Sequence, residues 1–206
     1  MIESIRLMAI IRAVEPVYAV PIAETLVSEG ITGIEVSLSD AEKGFGCIEN
    51  IQKRFSPDEI CLGAGTVTKK EEVDRLAAMK IPFFLTPGYD DELGAYGRSK
   101  GREVLPGVLT PGDVQQALNR GVRRLKLFPA DAFGMSYIKS LKGPFPQAEF
   151  VAVGGVNETN VSQFLKAGFI GAAAGSNLVP RKSTDGNLEL IRQKARLYVQ
   201  AMEREA

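Results

Sequence analysis

Short apolar runs recur along this chain at a spacing of roughly 20 to 30 residues, and each is followed by a segment with helical periodicity. The runs are Leu7 to Arg12, Gly33 to Leu38, Ile60 to Val67, Pro82 to Thr86, Glu103 to Pro106, Arg124 to Phe128, Glu149 to Val153 and Phe169 to Gly175. Most are nearly continuous in hydrophobicity rather than alternating, the pattern of strands buried on both faces. Between them, Ala19, Ile22, Ala23, Leu26 and Val27 form one helical stripe, with Gly30 as its stop. Thr68 with Glu71 reads as a capping box ahead of Val73, Leu76 and Ala77. Thr110-Pro111-Gly112-Asp113 opens another helix that closes at Gly121. Val161, Phe164 and Leu165 make a further stripe ended by Gly168, and a last helix is expected from about Leu188 to Met202.

Eight strands alternating with about eight helices imply parallel β/α units in an α/β protein, either an open doubly wound sheet or a closed barrel. Glycine and polar residues crowd nearly every strand end: Gly63-Ala64-Gly65-Thr66, Thr86-Pro87-Gly88, Gly154-Gly155 and Gly175-Ser176. A barrel gathers all such ends at one mouth, whereas an open sheet uses only its switch point. The first strand is followed by no G-x-G-x-x-G. The expectation is therefore a single-domain (β/α)8 TIM barrel over residues 1–206, compact at about 26 residues per unit.

Composition then limits the chemistry. The chain contains no histidine, which removes Ser-His-Asp and Cys-His catalysis and imidazole metal ligation together. Acid–base or nucleophilic work must fall to Glu, Asp, Lys, Tyr, Cys, Ser or Thr. Twenty-five basic and 25 acidic residues cancel, so no broad field favours nucleic acid or anionic lipid. Cys47 and Cys61 lack C-x-x-C spacing, and no ligand cluster for a metal stands out. Two thiols, an opening Met1-Ile2-Glu3-Ser4-Ile5-Arg6 without leader character, and no apolar stretch near the ~20 residues of a membrane helix are read as cytoplasmic.

Two charged residues interrupt apolar strands. Lys126, in Arg124-Leu125-Lys126-Leu127-Phe128, shares a strand face with Arg124 and Phe128. It could snorkel to solvent from a strand end. Facing the barrel, it would instead be poorly solvated, with a depressed pKa and an amine able to form a Schiff base with a carbonyl. Glu35, in Ile34-Glu35-Val36-Ser37-Leu38, is costly to bury unless paired or working. Strands 2 and 6 of an eight-stranded barrel face each other, so Glu35 and Lys126 could share one cavity as an acid–base pair. Arg12 ends the first strand, either as a solvated rim residue or as a grip for a carboxylate. Thr66 and the Thr86-Pro87 turn could add a hydroxyl and backbone donors. Gly154-Gly155 and Gly175-Ser176 follow strands 7 and 8, where barrels build phosphate cradles from backbone N–H groups and a short helix N-terminus; each glycine could equally serve a turn.

In their order along the chain, Ile34-Glu35-Val36-Ser37-Leu38, Gly63-Ala64-Gly65-Thr66-Val67, Leu125-Lys126-Leu127-Phe128-Pro129, Val153-Gly154-Gly155-Val156 and Gly175-Ser176 resemble the 2-keto-3-deoxy-6-phosphogluconate aldolase family. That family includes 4-hydroxy-2-oxoglutarate and 2-keto-3-deoxy-6-phosphogalactonate aldolases. The resemblance implies a barrel, usually homotrimeric, running class I aldol cleavage with no metal and no cofactor. It makes Lys126 the Schiff-base lysine and Glu35 the acid–base residue. Arg12 and Thr66 would lie on the pyruvyl carboxylate, with Pro87 and Phe128 also against substrate. Gly154, Gly155, Gly175 and Ser176 would surround the phosphate. Two positions depart from the family pattern. Ser39 stands where other members carry an arginine, and Val153 where gluconate-type members carry a threonine. The partners implied are a phosphorylated 2-keto-3-deoxy sugar acid and pyruvate, with neither nucleic acid nor membrane. The alternatives are an isomerase or synthase on a phosphorylated sugar, and a non-catalytic trimeric binding protein of the same fold.

Overall fold

The computed structural model describes residues 6–203, so all but Arg6 of the opening segment read above lies outside the described residues. Within them the strands are β1 (Leu7–Ile11), β2 (Gly33–Ser37), β3 (Cys61–Gly65), β4 (Phe83–Leu85), β5 (Glu103–Leu105), β6 (Gly107–Val108), β7 (Arg124–Leu127), β8 (Glu149–Val153) and β9 (Gly171–Ala174). The helices between them are α1 (Pro16–Ser28), α2 (Ala41–Arg54), α3 (Lys70–Ala78), α4 (Asp91–Ser99), α5 (Pro111–Asn119), α6 (Tyr137–Lys142), α7 (Val161–Ala167) and α8 (Leu188–Glu203).

All pairings are parallel, and the sheet runs β5-β4-β3-β2-β1-β9-β8-β7-β6. Its two ends, β5 and β6, are consecutive in sequence and separated only by Pro106. The barrel thus has eight staves, as expected, but the fifth is split. Leu105 pairs with Leu85 on β4, whereas Gly107 pairs with Lys126 on β7. Proline explains the break: it has no N–H to donate to a ladder. Its carbonyl still accepts the Lys126 N–H at 3.0 Å. Gly107 has to be small here, because a Cβ on it would lie 2.4 Å from the Pro87 carbonyl oxygen.

Strand alternation divides the core in two. Leu7, Ala9 and Ile11, Ile34 and Val36, Leu125 and Leu127, and Phe150 and Ala152 pack outward against the helices. Met8, Ile10, Cys61, Phe83, Leu85, Leu105, Val151, Val153 and Ala173 fill the barrel interior. The helix boundaries follow local chemistry. At α5, Thr110 Oγ1 accepts from Asp113 N, and Asp113 Oδ2 accepts from Thr110 N at 2.8 Å, so the N-cap threonine and early acid read from sequence form a reciprocal capping box. Gly30, Gly121 and Gly168 all adopt positive φ after their helices. The expectation for α3 needs correcting. The helix begins later, and Glu72 rather than Glu71 accepts the Thr68 and Lys69 N–H groups, at 2.8 and 3.1 Å. No helix among the described residues is long and apolar enough to cross a membrane.

Candidate active site

Glu35 is the central residue of β2 and points inward, between outward-facing Ile34 and Val36. It is 0% exposed, and neither carboxylate oxygen has a hydrogen-bond partner. Gly65, on the next strand, makes the space, because a Cβ there would sit 1.6 Å from Glu35 Oε1. Burial pushes the Glu35 carboxyl above its ordinary value, and the charges of Lys126 and Arg12 oppose that rise only in part.

Lys126 lies on β7 with Leu125 and Leu127 outward and its own side chain inward, 3% exposed. Of the two orientations left open by the sequence, the structure has the barrel-facing one, and the side chain does not snorkel to bulk solvent. Its Nζ stands 4.8 Å from the centre of the Phe128 ring. Desolvation lowers its pKa, the Glu35 carboxylate raises it, and Arg12 lowers it. Glu35 and Lys126 are thus close enough to perturb each other, and each is pushed toward its neutral form by burial. A neutral amine near neutral pH is a nucleophile, and an unpartnered carboxyl beside it is available for proton transfer. Arg124, expected on the same face, sits at the other end of the barrel with Glu103 and Glu149, at 3.1 and 3.5 Å.

Arg12 follows β1 and reaches over the pair. Its Nε donates to Ser37 Oγ at 3.2 Å and its Nη2 to Thr66 Oγ1 at 3.3 Å, while the two hydroxyls lie 3.1 Å apart. A cavity of about 240 Å3 opens above, with Ile10, Arg12, Lys126, Phe128, Val153 and Ala173 in its floor and walls. Gly154, Gly155, Val156, Gly175, Ser176 and Asn177 form its far side. Gly154 and Gly155 have φ of +98° and +69°, conformations glycine adopts without steric cost. Gly175 to Leu178 is a turn, in which Gly175 O accepts from Leu178 N and Val179 N at 2.8 and 2.9 Å. The short helix expected there is only this turn, and α8 starts ten residues further on.

Of the residues singled out from sequence, Arg12, Lys126, Phe128, Val153, Gly154, Gly155, Gly175 and Ser176 line this cavity. Glu35 lies beneath it, and Thr66 reaches it through Arg12. Pro87 is exposed in the turn after β4 and does not line it. Sequence reasoning missed Asn177, whose Nδ2 donates to Val156 O at 3.0 Å, and the part played by Ser37. Strand alternation from Glu35 could have placed Ser37 inward; nothing in the sequence marks Asn177. Burial pushes both cysteine thiols up to about 11, which leaves them poor nucleophiles. A second hollow of about 210 Å3 lies at the other end of the barrel, with Lys80 the only titratable group in its wall. Among the described residues no group of three or more His, Cys, Asp or Glu converges as a metal would need.

The sequence matches the family described as "Aldolase: KDPG and KHG aldolase" over residues 1–193. It is 35% identical over 196 residues to the 2-dehydro-3-deoxy-6-phosphogalactonate aldolase of Escherichia coli, covering 95% of this chain and 93% of that one. It is 32% identical over 184 residues to the 2-dehydro-3-deoxy-phosphogluconate aldolase of Pseudoalteromonas atlantica, covering 88% and 84%. The fold is similar to the crystal structure of the KDPG aldolase of Legionella pneumophila with pyruvate captured as a covalent carbinolamine. The TM-score is 0.82 at 25% identity, over 99% of this chain and 95% of the other.

Proposed function

This chain belongs to the KDPG and KHG aldolase family, and on that premise we propose that it is a class I aldolase whose Schiff base forms on Lys126. Its substrates are 2-keto-3-deoxy-6-phospho sugar acids. The observation that carries this reading is the pairing of two buried, oppositely titrating groups, Lys126 and Glu35, below a cavity with Arg12 at its rim.

The neutral Lys126 amine attacks the C2 ketone, and loss of water leaves an iminium that can accept an electron pair. Glu35, directly or through a water, takes the C4 hydroxyl proton as the C3–C4 bond breaks toward the iminium. D-glyceraldehyde 3-phosphate departs. The enamine takes a proton at C3, and hydrolysis of the new iminium releases pyruvate and regenerates the amine. Arg12 holds the carboxylate at one end. The backbone around Gly154-Gly155 and Gly175-Ser176 holds the phosphate at the other, fixing the breaking bond between lysine and glutamate. The iminium supplies the electron sink, so the mechanism asks for no metal and no organic cofactor.

A homotrimer is part of the same proposal and rests on resemblance to the family. A cytoplasmic site is supported by the two unpaired cysteines, Cys47 and Cys61. Relatives named for either epimer match at similar identity, 35% and 32%. We extend the proposal to cleavage of both the gluconate and the galactonate compound. Assaying pyruvate release from each phosphorylated epimer tests this. Turnover of at least one supports the aldolase, and conversion of a phosphorylated sugar without pyruvate would favour the isomerase alternative.

A further inference from the structure

Ser37 lies two residues beyond Glu35 on the same inward face of β2, one layer nearer the mouth, and is 4% exposed. Its Oγ accepts from Arg12 Nε at 3.2 Å and from its neighbour Ser39 N at 3.4 Å, and donates to Ser39 Oγ at 3.2 Å. It is also 3.1 Å from Thr66 Oγ1. Thr66 makes that contact from a φ of +61°, an uncommon and costly conformation for a β-branched residue. The strain places its hydroxyl against both Arg12 and Ser37. Together the two hydroxyls occupy Nε and one Nη2 hydrogen, one long edge of the guanidinium. Among the hydrogen bonds of the described residues, Nη1 takes no part. The fork it forms with the remaining Nη2 hydrogen fits a planar carboxylate bidentately.

We propose that Ser37 is a positioning residue for the substrate carboxylate, its hydroxyl fixing the Arg12 guanidinium so that the unused edge meets the 2-oxo acid beside Lys126. A flexible arginine would lose rotamer freedom each time substrate bound; one already held by two hydroxyls does not. The contact is made equally in the bound acid and in its iminium, so losing it weakens binding rather than the chemical step. The proposal rests on the Schiff-base reading above.

Exchange of the pyruvate C3 hydrogens with deuterium, followed by NMR, gives KM and kcat for the half-reaction on pyruvate alone. Ser37→Ala should raise the pyruvate KM about tenfold, the size of one hydrogen bond to a charged group, with kcat within about threefold of native. Ser37→Thr and Ser37→Val have nearly the same shape and differ in the hydroxyl. The threonine variant should keep a near-native KM and the valine variant should show the tenfold rise. Equal KM values in those two, or a loss confined to kcat, would overturn the role given to Ser37. Native protein that exchanges no pyruvate hydrogen would count against the aldolase reading itself.

Discussion

At the scale of single residues, the glutamate and the lysine that interrupt apolar strands meet inside the barrel. Period-two alternation gave only the face that Lys126 shares with Phe128; the shared cavity came from strands 2 and 6 facing each other across the barrel. Their electrostatics needed the structure, because the absence of partners on Glu35 depends on Gly65, Arg12 and the interior around them. Replacing Glu35 by glutamine should retain pyruvate binding and lose about 10²–10⁴-fold in turnover, as for a general acid–base residue. The same change has a signed effect on pH dependence. The Glu35 carboxylate raises the Lys126 pKa while burial lowers it, and the amine reacts only when deprotonated. Rates of adduct formation should therefore rise with pH on a limb below the ordinary lysine value, and Glu35→Gln should move that limb lower still. A limb that moves upward would contradict the coupling.

Val153 ends β8 inside the barrel and lines the cavity beside Gly154. A threonine there could hydrogen-bond a C4 hydroxyl of one configuration. Valine has the shape without the donor or acceptor, so discrimination between epimers should stay below about 100-fold. Comparing kcat/KM for both epimers in the native protein and in Val153→Thr checks this, and the variant should gain preference for the gluconate compound. An unchanged ratio would show that stereochemistry is set elsewhere.

At the scale of elements, seven of the eight staves fall within their sequence boundaries as single strands. They are legible because strands buried on both faces give continuous apolar runs. The fifth is different. Glu103 to Pro106 reads as an ordinary short strand, and its split into β5 and β6 depends on which neighbour each half pairs with, a long-range property. Pro106 was the available local sign, since a proline in a central strand is suspect. The α3 start was missed by a residue because two adjacent glutamates, Glu71 and Glu72, offer the same cap in alternative registers. The tight closure makes a prediction. Gly107→Ala places a Cβ 2.4 Å from a backbone oxygen, which no side-chain movement relieves, and should cost about 1–3 kcal/mol or more. Thermal melting of this variant should show a clear drop in midpoint; a native-like midpoint would mean the closure can yield.

At the scale of the whole molecule, the barrel was legible because glycine and polar residues crowd nearly every strand end, which a barrel gathers at one mouth, and the family because the ordered motifs from Ile34 to Ser176 resemble it. The finer site was legible in part. Eight of the eleven candidate residues line the cavity, Glu35 and Thr66 lie beneath and behind it, and Pro87 stands apart. Oligomeric state has no such local signature. Light scattering at micromolar concentration should give the mass of a trimer, and a monomer would remove that proposal without touching the chemistry. The central claim is the covalent bond to Lys126. Incubating the protein with pyruvate, reducing with borohydride and mapping the product by mass should find one reduced pyruvyl group on Lys126 and none in Lys126→Ala. Native protein that gains no mass, or a label that persists on another residue in Lys126→Ala, would contradict it.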